Sequence, residues 1–393
     1  MKDLPNRRTF LGTAAFALAA PAFRDDPPVR FRLIETAGLR RFGYPVSALL
    51  PAGTPDQPYQ LVSDGQVVPA QFTATKGPAG GPRVALDFAA SLGPLETREY
   101  QVQVREGEAP PYDTRRGMTI ERPGDGRVLV RSGADLIWGL REDLDGHLNS
   151  VHGGRLDYVA GGSAGLLVRE RGGDWRPFER SGANARGERS GPFAAIVVYA
   201  GKRGDVPWRL DAIFPRTKSW VETRWEVNDP GASITGLGVE LGLLVEGAPT
   251  LVDFGTRATV YATLKGDESM ALVAGGCPGH SAAERGWVVT KGNQVFARDP
   301  GLGGAEGWVH VMDQMRCTAA AVSEFAQLDH RDRIEVTAGG RLRITREFAT
   351  RDTAPPAGPK RLDWWLHFVP MPVQVGALTS PQAMQSPLRV EWD

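Results

Sequence analysis

Two cysteines in 393 residues, Cys277 and Cys317, are too few for a disulfide framework or a four-thiolate zinc centre. Net charge is missing as well. With 46 basic side chains against 46 acidic ones, no field of one sign exists to bind nucleic acid by counterion release. Beyond the first twenty or so residues no apolar run is long enough to cross a bilayer. A helical period is nearly absent, with one short candidate near 378–386. The sequence has no P-loop, no H-E-x-x-H pair and no G-x-S-x-G elbow. Gly236-Leu237-Gly238 sits inside a strand pattern, without the strand–turn–helix context of a dinucleotide loop. No cofactor and no metal set is expected.

What is present begins at the N-terminus. Asn6-Arg7-Arg8-Thr9-Phe10-Leu11 is a twin-arginine pair, followed by the small apolar stretch 12–20 and by Ala20-Pro21-Ala22. Charged, apolar and small-residue segments in that order predict a Tat signal peptide over 1–22, cleaved on export by the Tat machinery. The mature chain is then expected in the periplasm or outside the cell, without a membrane span.

Most of the remaining chain alternates with period two. Tyr100, Val102 and Val104 alternate with polar residues, and so do Val221, Thr223, Trp225 and Val227. Alternation of this kind puts one set in a core and the other on an open sheet face. Asp64-Gly65 and Gly339-Gly340 lie between such runs as hairpin turns. With 48 Gly and 30 Pro punctuating the chain, the reading is all-β. The polar, Pro-rich link at 106–111 divides a small N-terminal β-domain (27–108) from a large β-sandwich domain (112–393). At ~280 residues the second piece exceeds a seven-strand sandwich of ~100 residues, which points to an extended two-sheet sandwich.

Two stretches, "FRLIETAGLRRFGYPVSALLPAG" and "YQLVSDGQVVPAQF", resemble the N-terminal RIFT-like barrel of the rhamnogalacturonan exolyase-like family. "GPFAAIVVYAG", "LDAIFPRTKSWVETRWEVND" and "ITGLGVELGLLVEG" are similar to that family's central β-sandwich, a relative of the mutarotase-like supersandwiches. The resemblance covers 29–375 and rests on strand cadence rather than on a catalytic motif. It implies a secreted protein that binds or acts on acidic polysaccharide. Full-length lyases of the family continue into a helical toroid that this sequence, ending at Asp393, does not contain. Lyase activity therefore does not follow from the resemblance.

The richest chemistry lies in 307–317. Read as one strand, it places Trp308, His310, Met312, Gln314 and Arg316 on one face; the other face is apolar apart from Asp313. An indole stacks on a pyranose, an amide bonds hydroxyls, and a guanidinium fork matches a uronate carboxylate. Two further strands repeat the theme, one with Trp365 and His367, the other with Trp220, Glu222, Arg224 and Glu226. If the three were neighbours, their faces would form one cleft. A loop at 141–154 holds Glu142, Asp143, Asp145, His147 and His152 ahead of Tyr158. It suits a hairpin, a calcium ligand set or a general base. His280 and His330 have nothing near them in sequence to sharpen a role.

Two functions follow. In the first, a lyase or epimerase acts on uronate-containing glycan, with Arg316 or Arg224 neutralising the carboxylate and His310 or Tyr158 as base or acid. In the second, the chain binds glycan without catalysis, alone or beside a separate catalytic chain.

Overall fold

The computed structural model describes residues 28–393 apart from 52, 55–56, 77–80, 106–116, 133–135, 180–182, 247–249, 257–259, 282–285, 302 and 373–379. The expected signal peptide and the link at 106–111 lie outside the described residues.

The fold is all-β. Among the described residues its strands form two large antiparallel sheets and three small ones. The nine-stranded sheet runs, edge to edge, Arg186–Ser190, Ala194–Arg203, Val206–Pro215, Trp220–Asp229, Gly358–Pro370, Arg316–Val322, Ala305–Met312, Thr250–Thr256 and Val260–Leu264. An eight-stranded sheet packs against it as the second layer of a sandwich. The interior holds Trp225, Trp364 and Phe368 from the first sheet and Leu237, Leu272, Ile334 and Ile344 from the second. Val221, Thr223, Trp225 and Val227 all point inward, as their alternation requires. A five-stranded sheet spanning 119–157 closes one end and sends Trp138 against Phe214, with ring centroids 5.1 Å apart.

The N-terminal residues form two further sheets around a core of Phe31, Leu61, Leu86, Phe88 and Tyr100. One is three-stranded (Arg41–Leu49, Pro82–Leu92, Ala70–Lys76) and the other five-stranded. The expected turn at Asp64-Gly65 has both residues at positive φ, 52° and 73°, which matches a two-residue hairpin. The expected helical piece is the helix Ser380–Gln385.

The second unit was expected to run to Asp393, but its last strand does not stay in the sandwich. Arg389–Trp392 pairs antiparallel with Val29–Ile34 and so joins the small N-terminal sheet. Arg41, held at 2.9 Å by Glu35 in a buried pair, donates to the carbonyls of Ala383 and Ser386 and ties down the helix before that strand.

The small sheets do not stand apart from the sandwich. Their core is continuous with Trp220, Ala321 and Trp365 on the outer face of the nine-stranded sheet, and with Met384 and Leu388 near the helix. That sheet is therefore covered on both faces along its middle. The strand Arg316–Val322 is buried at every position, and Gly358–Pro370 is buried without interruption from Leu362 to Phe368. A run such as "WWLHFV", apolar except for His367, is the sequence form of a doubly covered strand.

Candidate functional site

The three tryptophan-bearing strands share one sheet, with the alanine-rich strand Arg316–Val322 between two of them. Across the register His310 stands opposite Ala319, Ala319 opposite His367, and His367 opposite Trp220. The next row runs Trp308, Ala321, Trp365, Glu222. Their side chains thus project from one face, as the cleft hypothesis required. The face is nonetheless mostly closed. Trp220, Trp365, His310 and His367 are each under a tenth exposed. Trp220 meets Tyr44 of the small sheets edge-on at 5.9 Å and His367 at the same distance.

His310 lies 4.9 Å from the ring of Trp308, and among the described residues neither of its nitrogens has a hydrogen-bond partner. Asp253 Oδ2 lies 3.7 Å from Nδ1. Burial, aided by Lys218 and His310, pushes His367 down to about 3. Both imidazoles stand in a packed interface rather than in a solvent-filled site. Trp308 is half-buried against the same interface, and its indole N–H donates to Glu306 at 2.8 Å. Glu306 also accepts from Gln382 of the helix at 3.1 Å.

The reading of 307–317 as one strand is corrected. The chain turns at Asp313, whose carboxylate accepts the amides of Met315 and Arg316 at 2.6 and 2.7 Å. Gln314 is exposed in that turn, away from the Trp308–His310 face. Beyond the turn the parity reverses: Ala319 and Ala321 share the face of His310, and Arg316 takes the opposite one. There its guanidinium donates to the Asp157 carbonyl, Asp313 and Glu246 at 2.6, 3.2 and 3.0 Å. Tyr158 belongs to the sandwich interior, edge-on to Phe368 at 5.6 Å. His310, Arg316 and Tyr158 therefore do not form one catalytic group. In the loop at 141–154, His147 is buried against Trp364 and bonded to Thr223 at 3.0 Å; burial alone depresses it to about 3. Asp143 pairs with Arg141, and the segment is a hairpin between strands.

One part of the outer face stays open. Between the three-stranded sheet and the strands Val206–Pro215 and Trp220–Asp229 lies a cleft of about 350 Å³. Edges of Trp220 and Trp365 reach it, and charged pairs line it. Arg224 bonds Glu222 at 2.6 Å, Arg189 bonds Asp87 at 2.8 Å, and Arg209 bridges Asp211 and Glu188 at 2.7 and 2.9 Å. Asp211 stands directly opposite Arg224 across the strands. Burial pushes the carboxyls of Asp87 and Asp211 above their ordinary range, against the pull of their arginines. Of the expected binding residues, Glu222 and Arg224 are the two whose charged groups meet this cleft with appreciable exposure. Asp87, Arg189, Glu188 and Arg209 escaped sequence reasoning because they come from separate segments, and no local spacing joins them.

No protein-family model matches the sequence, and no curated protein does. Among solved structures the chain is similar to a protein in glycosyl hydrolase family 38 from Enterococcus faecalis, with a TM-score of 0.59 and 10% identity. The alignment covers 93% of this chain and 47% of that one. An alpha-mannosidase from Enterococcus faecalis V583 aligns with a TM-score of 0.54 and 11% identity, over 93% and 46%. A galactose mutarotase-like protein from Lactobacillus casei aligns over 64% of this chain and its own whole length, at 11% identity and a TM-score of 0.35. The two Enterococcus structures carry the comparison, and what they share with this chain is the fold. This chain spans about half the length of each.

Proposed function

We propose that this protein binds carbohydrate in the cleft between the three-stranded sheet and the outer face of the nine-stranded sheet, without lyase catalysis. The cleft's wall carries the argument. Glu222–Arg224, Asp87–Arg189 and Asp211–Arg209 each set an acceptor beside a donor. Vicinal hydroxyls each donate and accept, so paired groups of this kind satisfy two at once. A fold shared with a glycosyl hydrolase family 38 protein and an alpha-mannosidase is in keeping with that ligand class. Each of these guanidinium groups already has a carboxylate. A uronate would have to displace one, so the lining favours neutral, hydroxyl-rich sugars over the acidic glycans that the family resemblance suggested. Lyase chemistry has no support in the expected residues, since His310 is buried and Arg316 faces the other way.

Titration calorimetry against a panel of neutral and uronate-containing oligosaccharides tests this reading. Binding of a neutral glycan is expected, weakened at least about tenfold by Arg224→Ala or Glu222→Gln, which corresponds to roughly 1.4 kcal/mol. Binding unchanged in both variants, or none to any glycan, overturns the site. Unsaturated uronate product from an acidic polysaccharide restores the lyase.

A further inference from the structure

We infer that Cys277, His280 and Glu347 form a zinc-binding site, remote in sequence from the cleft. Sγ of Cys277 lies 3.0 Å from Nδ1 of His280. One donor atom from each of the three residues lies within 4.8 Å of the others, and this is the one such group among the described residues. Around a tetrahedral zinc with bonds of about 2.0–2.3 Å, neighbouring donors stand roughly 3.3–3.7 Å apart. The three donor atoms, 3.0 Å apart for Cys277 and His280 and within 4.8 Å for all, bracket that spacing. A thiolate, an imidazole and a carboxylate together select zinc over the hard cations magnesium and calcium, which take oxygen.

The turn at 277–280 prebuilds the chelate. In Cys277-Pro278-Gly279-His280 the His280 amide donates back to the Cys277 carbonyl at 3.0 Å. Proline at the second turn position and glycine at the third, with φ at +95°, are what a type II turn demands. A side chain at Gly279 would collide with Thr350 and Thr353. The turn is fastened to the far side of the site by the Thr350 amide, which donates to the Pro278 carbonyl at 3.0 Å. Glu347 ends the strand Arg341–Glu347, and its Oε1 accepts from Arg169 at 3.0 Å, which orients the carboxylate.

Cys277 is buried while His280 and Glu347 are half-exposed, so an ion can reach the group from solvent. Zinc binds the thiolate, so the Cys277 thiol releases one proton to solvent and affinity rises with pH. Three protein ligands leave a fourth position for water. The bound ion pins the loop after Gly275 to the end of the strand Arg341–Glu347.

Zinc stoichiometry and cobalt substitution on the full chain test the site. Purified protein should take up about one zinc per chain, with a higher melting temperature than after chelation. Cobalt should give a thiolate-to-metal charge-transfer band that survives Cys317→Ser and disappears in Cys277→Ser. His280→Ala and Glu347→Gln should each weaken zinc at least about tenfold, since even outer partners of metal ligands contribute ~10–100-fold. The wild-type measurements stand alone if a variant fails to fold. Absence of stoichiometric metal and of the cobalt–thiolate band in the wild type overturns the proposal, as does a band retained in folded Cys277→Ser.

Discussion

Trp220 and His367 face each other across two neighbouring strands, ring edge to ring face at 5.9 Å, on a sheet surface that the N-terminal sheets cover. Two residues suited to holding a sugar instead hold two parts of one chain together. An indole in that position contributes through packing. Trp220→Ala should therefore lower unfolding stability by about 3–5 kcal/mol, the usual result of emptying a large buried aromatic site. Arg224→Ala, half-exposed on the same strand, should stay within about 0.5 kcal/mol. Urea unfolding of both variants measures the contrast. A Trp220 effect below about 1 kcal/mol would mean that the face is open.

Acid should weaken the fold through two imidazoles. His147 and His367 are both held down to about 3, so in the folded protein they stay neutral where an unfolded histidine, near 6.5, takes a proton. The unfolded chain then binds more protons between those values, and stability rises with pH across that window. The contribution is complete above about pH 6.5 and is lost progressively as pH falls toward 3. Each imidazole can cost up to about 1.4 kcal/mol per pH unit. Denaturation midpoints at pH 7, 5.5 and 4.5 should fall in that order; a flat profile refutes the assignment.

The buried pair Asp332–Arg346 should be costly to break and cheap to replace. Arg346 donates from Nε and Nη2 to the two Asp332 oxygens at 2.8 and 2.9 Å, and both side chains are almost fully buried. Asp332→Ala leaves an uncompensated buried cation and should cost about 3–5 kcal/mol. Replacing both residues by apolar ones of similar volume should cost less than the single change, because the buried guanidinium leaves with its carboxylate and only His330, 3.3 Å from Asp332, loses a partner. A thermal-unfolding double-mutant cycle decides it, and additive losses would contradict the coupling.

Period-two alternation alone established the fold class, since side chains two apart on a strand must share a face. It placed Val221, Thr223, Trp225 and Val227 inward, and it put Trp308 with His310 and Trp365 with His367. Asp64-Gly65 announced its turn, because few dipeptides tolerate two positive φ values. Asp313 carries the signal for the turn in 307–317. As the one polar residue on an otherwise apolar face, it marked the turn that reverses parity and sends Arg316 away from His310. Likewise the run at 364–369, apolar except for His367, is the sequence form of a strand covered on both faces, so its tryptophan and histidine serve packing.

Tertiary structure decided what no local pattern holds. Which strands adjoin, that the N-terminal sheets close over the Trp220–His367 face, and that Arg389–Trp392 returns to pair with Val29–Ile34 are contacts between distant segments. The same holds for the charged cleft, where Asp87 meets Arg189, and for the meeting of Cys277 and His280 with Glu347. A strand's period determines which side chains point together. What they point at depends on packing between surfaces far apart along the chain.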